Sequence, residues 1–582
     1  MATSGLRRYS GYDATLRVRD RRRADIAVFA GIAVLFWLLA SLGQGLTEPF
    51  DPALAPAAVA TDPALLPAYA GRSLLRMFAA LGASTLFAFG VALAAARLPR
   101  AGRLILPALD VLQSVPVLGF VSVTIGFWLA LFPGTVVGLE LAAVFAIFTS
   151  QVWNMTFAFY QSVITQPRDL VEASRMLGLT GWQRFWTLDA PHGAFPLVWN
   201  GMMSFGGGWF FLIASEVVTV GHRTTALPGI GSYAAAAALR AEPARLLLAA
   251  GVLVVVVVGV NFFFWRPLTA WAERFRGGDV DVSEPQRSIV FDLLRRSALP
   301  RLLATALRAG SDAIERTFSR PARAPRRRAS PQRRRRIIDR ALAALAWALL
   351  AWGLIAMLGF VAADAGLEQF VLAGALGAAT CARVLVLLVF GTVIWVPIGV
   401  WIGLHPRVTR VAQPIVQVLA SFPANFLFPF FALALLTTGV SLDLGGILLM
   451  SLGAQWYILF NVIAGAAAIP TDLREAARSL RLGRLTTWRT LVLPAVFGSW
   501  VTGALTAAGG AWNASIVAEV VSYGGTTLTA TGLGAYISEA TAQGEFGRVL
   551  VGVLVMSAFV VSFNRLVWRR LYALAESRFS LI

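Results

Sequence analysis

Few side chains in this sequence have the type and spacing to do chemistry, and those that do come in pairs. Glu140 and Asp443, Glu172 and Glu475, and Glu216 and Glu519 each stand 303 residues apart. Acids within apolar sequence suggest proton transfer when they cluster. No carboxylate cluster is seen here, so no proton relay is expected. Three histidines, His192, His222 and His405, show no ligand spacing, and the single cysteine, Cys381, excludes an intrachain disulfide and a cysteine-based metal cluster. All 50 basic residues are arginine, so the chain lacks the Gly-rich loop ending in Gly-Lys-Ser/Thr that cradles nucleotide phosphates. No catalytic residue, metal or cofactor is therefore expected in this chain.

The pairs belong to a longer repetition. Pro167-Arg-Asp-Leu-Val-Glu-Ala-Ser-Arg-Met-Leu returns as Pro470-Thr-Asp-Leu-Arg-Glu-Ala-Ala-Arg-Ser-Leu, and the same shift superimposes Trp153 on Trp456, Trp209 on Trp512 and Tyr233 on Tyr536. Upstream the shift becomes 307, matching Arg76 with Arg383 and Pro116 with Pro423. One unit was duplicated along most of both halves.

The elements that position these pairs are membrane spans. With 57% hydrophobic and 14% charged residues, and apolar runs near 20 residues long, the chain reads as an integral membrane protein. The fold expected is all-α, with about 12 transmembrane helices in two six-helix repeats. The spans fall near 25–42, 73–96, 105–131, 136–159, 193–218 and 247–265, then 341–362, 382–404, 412–437, 443–467, 495–521 and 547–567. The third of each half carries an internal proline, Pro116 or Pro423, which argues against one straight helix. Glu140 and Asp443 open the fourth spans, where a carboxylate favours the helix dipole, and Glu216 and Glu519 fall near the ends of the fifth. No arginine is expected at mid-membrane.

The net charge of +20 is concentrated before the first span, at 97–103, in both repeated segments and in the central linker. By the positive-inside rule these regions and both termini face the cytoplasm, and with an even number of spans in each half the halves are expected to be parallel repeats. Nucleic-acid binding is not expected, because no folded basic module with interleaved aromatics accompanies the arginines. The expected domains are a basic N-terminus (1–24), a first six-span domain (25–266), an Arg-rich cytoplasmic linker (267–340), a second six-span domain (341–570) and a tail (571–582). Within the linker, 289–318 has helical apolar spacing suited to the lipid surface, with a flexible tether as the alternative.

Asp169-Leu-Val-Glu172 and Asp472-Leu-Arg-Glu475 fit a capping box that starts a short helix. Gly178 is placed to end the first, and Thr180-Gly-Trp-Gln183 to cap a second helix running to Pro191. The expected result is a cytoplasmic helix, turn and helix joined directly to a span, with Trp182 or Leu485 as an exposed knob for a soluble partner. Glu172-Ala173-Ser174 with Gly178, and Glu475-Ala476-Ala477, resemble the coupling loop of the permeases of binding-protein-dependent ABC importers. Arg481 stands at the glycine position of the second copy, with Gly483 two residues later, so unequal contacts are expected. Ser215-Glu-Val217 with Gly229-Ile-Gly231-Ser-Tyr233, Ala518-Glu-Val520 with Gly532-Leu-Gly534-Ala-Tyr536, and Ser73-Leu-Leu-Arg76 resemble the nitrate, sulfonate and taurine branch.

The resemblance implies a type I importer permease with two coupling-helix loops. It also implies two partner ATPase subunits that bind ATP and Mg, a periplasmic solute-binding protein, and a small anionic solute. Asp169, Glu172, Ala173, Gly178, Trp182, Asp472, Glu475, Ala476, Arg481 and Leu485 are the expected coupling residues. Glycines and polar groups of the fifth spans, Asn200, Gly207, Trp209, Gly510, Trp512, Asn513 and Ser515, are the pathway candidates. Ordinary helix packing accounts equally well for that small-residue stripe. Two six-helix repeats also describe secondary transporters, but their Gly-x-x-x-Asp-Arg signature is absent from Arg97–Arg103. A non-transporting scaffold is the third class considered.

Overall fold

A computed structural model describes residues 58–113, 115–220, 223–275, 288–297, 344, 348 and 351–579. The expected first span and most of the linker lie outside the described residues, as do parts of 341–350.

The first half contains α1 (Leu66–Arg97), α2 (Pro99–Leu112), α3 (Val117–Leu131) and α4 (Val137–Ile164). It continues with α5 (Arg168–Met176), α6 (Gly181–Arg184) and α7 (Ala190–Ser215), then strands β1 (Val217–Val220) and β2 (Arg223–Ala226). Helices α8 (Ile230–Leu239), α9 (Pro243–Val260) and α10 (Arg266–Ala272) complete it. A short α11 (Ile289–Arg296) follows in the linker, with Arg274 over the Phe291 ring.

The second half repeats the order. It runs α12 (Gln369–Leu404), α13 (Pro406–Ser421), α14 (Phe428–Thr438), α15 (Leu442–Ala467), α16 (Thr471–Ser479) and α17 (Arg484–Thr487). It ends with α18 (Leu493–Ala518), β3 (Val520–Tyr523), β4 (Thr526–Thr529), α19 (Leu533–Gln543), α20 (Phe546–Phe563) and α21 (Arg569–Arg578). Even the irregularities recur. Wide π turns at Phe185–Asp189 and Asn261–Trp265 return at Trp488–Val492 and Asn564–Trp568, and each half has one two-residue antiparallel hairpin, β1 with β2 and β3 with β4.

Eight helices among the described residues are long and apolar enough to cross a membrane, and a bent pair counts as a ninth. The chain is thus a multi-pass, all-α membrane protein with duplicated repeats. Each third span breaks at its proline. Pro116 and Pro423 take nearly the same extended conformation, φ −66° ψ 115° and φ −69° ψ 114°, because proline fixes φ and cannot donate to a preceding turn. In the second half the two pieces meet at a 72° bend.

Each half has its own core, with α1 along α4 and α4 along α7, and α12 along α15 and α15 along α18. The broken third spans join them reciprocally. Helix α3 packs on α18 and α20 of the second half, while α13 packs on α7 and α9 of the first. At the joints, Val117 N donates to Asn513 Oδ1 (3.0 Å) and Asn425 Nδ2 donates to the Phe210 carbonyl (2.9 Å).

Candidate functional site

Both repeated segments form the expected helix, turn and helix, but they start differently. Pro167 and Pro470 occupy the N-cap positions with no side-chain cap, and Asp169 and Asp472 sit inside the first turn. The capping boxes expected of Asp169 with Glu172 and Asp472 with Glu475 do not form, because proline with its preset φ begins each helix earlier. The aspartates instead favour the helix dipole.

At the other end, Gly178 N donates to the Arg175 carbonyl (3.1 Å) and Leu179 N to that of Ser174 (3.1 Å). Arg481 N and Leu482 N repeat these bonds to Arg478 (2.9 Å) and Ala477 (3.1 Å). Gly178 has φ +63° and Arg481 φ +49°, so arginine is held in the left-handed conformation that glycine adopts without strain. The backbones of the two turns match, and the copies differ in side chain. The Thr180 box does form: Gln183 N donates to Thr180 Oγ1 (3.2 Å) and Thr180 N to Gln183 Oε1 (2.9 Å). Gly483 replaces that cap in the second copy.

Glu172, Ala173, Glu475 and Ala476 are exposed. The apolar knobs are Met176 (88% exposed), Leu177 (76%), Leu480 (72%) and Leu485 (65%). Trp182 is not one of them. It is half-buried against Phe185 and Trp186, because the cap turns it back toward the π turn.

The joints between these helices and the fifth spans differ sharply. In the first half Asp189, fully buried, pairs with Arg97 at the end of α1, accepts from Gln166 Nε2 (3.0 Å) and lies 3.5 Å from Arg184 Nε. The second-half positions of Arg97, Gln166, Arg184 and Asp189 are Leu404, Ile469, Thr487 and Val492. All four line a cavity of about 240 Å³. The charged set of the first half is thus replaced as a group by three aliphatic side chains and a threonine.

At the opposite ends of the spans the halves agree. Arg76 pairs with Glu140 (2.5 Å) and Glu216 (2.7 Å), and Ser73 Oγ donates to Glu216 (2.5 Å) while accepting from Ile230 N (3.0 Å). Glu216 also accepts from Gly231 N (2.7 Å), and Arg76 donates to the Pro228 carbonyl (3.0 Å). Arg383, Asp443, Glu519, Thr380, Leu533, Gly534 and Thr531 repeat every one of these contacts. The network pins each hairpin and short helix to the second span. Its arginines, Arg76 in α1 and Arg383 in α12, are buried, 2% and 8% exposed. Glu140 and Asp443 do stand in the first turns of α4 and α15, and here they also neutralise an arginine.

Between the halves lies a cavity of about 300 Å³, walled by α4 on one side and α18 and α20 on the other. Gly510, Trp512 and Asn513 line it. Gly207 lines its repeat-related counterpart of about 40 Å³, together with Met202, Trp456, Tyr457 and Phe460. Asn200, Trp209 and Ser515 line neither: Asn200 donates to the Pro196 carbonyl (2.9 Å), Ser515 to that of Trp512 (2.8 Å), and Trp209 is buried in the first core. Asn154, Tyr457 and Asn564 line the larger cavity and were not expected there. Asn154 and Tyr457 are repeat-equivalent yet unlike, a difference visible in the sequence.

The sequence model of the binding-protein-dependent transport system inner membrane component matches residues 87–268 and again 395–569, more than half of the chain. Among curated proteins, the chain is similar to the nitrate import permease protein of Leptolyngbya laminosa (27% identity over 33% of this chain and 64% of that protein). It is also similar to the bicarbonate transport system permease protein of Synechococcus elongatus (27%; 30% and 60%) and the nitrate import permease protein of Synechocystis (26%; 34% and 67%). The first two matches span less than two thirds of those relatives' length.

Proposed function

We propose, for a chain that belongs to the family of binding-protein-dependent transport system inner membrane components, that it forms by itself the whole two-fold translocation unit of an ABC importer. The observation that carries this reading is the duplicated helix, turn and helix, with the same left-handed turn and exposed apolar knobs at Met176–Leu177 and at Leu480 and Leu485. Two such levers in equivalent positions suit two ATPase subunits that bind ATP and Mg. A chain without lysine supplies no standard P-loop of its own.

In this reading Asp169, Glu172, Ala173, Gly178, Asp472, Glu475, Ala476, Arg481 and Leu485 meet the ATPases, and Trp182 braces the first lever from behind. Nucleotide-driven approach of the levers tilts α7 and α18, to which the π turns join them, and the halves alternate between inward-open and outward-open states. The pathway runs through the cavity that holds Gly510, Trp512 and Asn513. Both termini face the cytoplasm of an inner membrane, and a solute-binding protein delivers a small anion to the opposite side. The test is ATP-dependent uptake of labelled anions into vesicles containing this chain and its ATPase, with the solute-binding protein supplied on the opposite side. Accumulation that stops without ATP is expected, and ATP-independent exchange would favour a secondary transporter.

A further inference from the structure

The larger cavity is one-sided, aromatic and free of charge. Six rings line it: Trp153, Phe211, Tyr457, Trp512, Phe563 and Trp568. No charged side chain is among its described lining residues. The Asn564 amide makes no hydrogen bond within the described protein, and Asn154 makes one long bond, Nδ2 to Ser204 Oγ at 3.3 Å, while the Tyr457 hydroxyl lies beside Gly207 of the smaller cavity. Neutral donors therefore face the space, with rings around them.

A bare inorganic oxyanion fits such a site poorly. It would surrender its hydration to an apolar wall without meeting a cation, and the negative faces of the rings add nothing favourable. A solute with a flat ring of its own gains burial and ring packing, and the neutral amides can then hold one anionic group. The volume agrees, since a cavity of about 150 Å³ already accepts benzene and this one is about 300 Å³. Its repeat-related counterpart offers only about 40 Å³, so a chain holds one such solute rather than two.

We infer that the solute carried by this protein is an aromatic monoanion, a ring bearing a single sulfonate or carboxylate, bound once per chain between α4 and α18. The inference rests on the importer reading and narrows its solute. The test is calorimetric titration of the full chain, purified with its ATPase, using p-toluenesulfonate, methanesulfonate, nitrate and benzyltrimethylammonium. The p-toluenesulfonate ion is expected to bind at one site per chain and about tenfold more tightly than the other three. Trp153→Ala should weaken it about tenfold and Trp153→Phe much less, because a ring remains. Equal or tighter binding of nitrate, methanesulfonate or the cation overturns the inference, as does no saturable binding of p-toluenesulfonate. The same preparation in vesicles, with the solute-binding protein added, separates the two failures: ATP-driven nitrate uptake without aromatic binding removes the inference alone, whereas no ATP-driven uptake of any of these solutes removes the importer reading as well.

Discussion

The joint between the first coupling loop and its span is predicted to depend on charge, and the second half supplies the control. Asp189 is 0% exposed, whereas Arg97 is 29% and Arg184 21% exposed. Replacing Asp189 with valine, the residue at the matching position 492, strands Arg97 against an apolar wall and leaves Gln166 without its acceptor. Breaking a buried pair costs about 3–5 kcal/mol. Because both guanidinium groups keep some water, about 2–3 kcal/mol is the better figure here. For a chain this large, unfolding as one unit, that corresponds to a fall of about 2 °C in the apparent unfolding midpoint. Adding Arg97→Leu recreates the Leu404 and Val492 arrangement and should recover all but about 1 kcal/mol, a coupling within the range known for contacting residues. The assay is tryptophan-fluorescence melting of the detergent-purified single and double variants. A double variant as damaged as Asp189→Val, or an unaffected single variant, would refute the reasoning.

Other outcomes follow from the same geometry. Arg76→Met leaves Glu216 buried without its cation and should cost about 3–5 kcal/mol. Arg383→Met should cost less, because its partner Asp443 is 48% exposed. Membrane yield and melting of the two variants give the order. A Cβ at Gly229 or Gly532 would lie 2.2 Å from the Glu216 or Glu519 carboxylate. Alanine at either glycine should therefore lower the yield of folded protein, each by about 1–3 kcal/mol of overpacking. Arg481→Gly relieves a left-handed arginine and should stabilise its turn by about 1 kcal/mol, while Gly178→Ala should destabilise the other by a similar amount. Limited proteolysis of the two loops reads both effects.

The duplication, the apolar spans and the two helical levers were legible because each rests on local pattern. The proline breaks were legible too, but their consequence was not. That α3 and α13 cross to the opposite half depends on how two surfaces fit, which no periodicity records. The buried network illustrates the same limit. Arg76, Glu140 and Glu216 each had a visible repeat partner, yet only the packing of α1 against α4 and α7 brings the three together. Asp189 and Arg97 left a clue of another kind: both charges vanish together in the second half, at Val492 and Leu404. A paired loss of opposite charges between repeats signals contact. The capping boxes misled because Asp169 and Asp472 compete with a proline two residues earlier, and the proline decides where the helix begins.

The central claim is that both repeated loops hold a separate ATPase. It is tested most directly by affinity purification of the tagged chain from its native membrane, with mass spectrometry of what remains bound, beside a Glu172→Arg/Glu475→Arg double variant. A P-loop ATPase bound to the unaltered protein and lost from the variant is the predicted result. No ATPase under conditions that preserve other membrane complexes, or equal ATPase on both proteins, would contradict it.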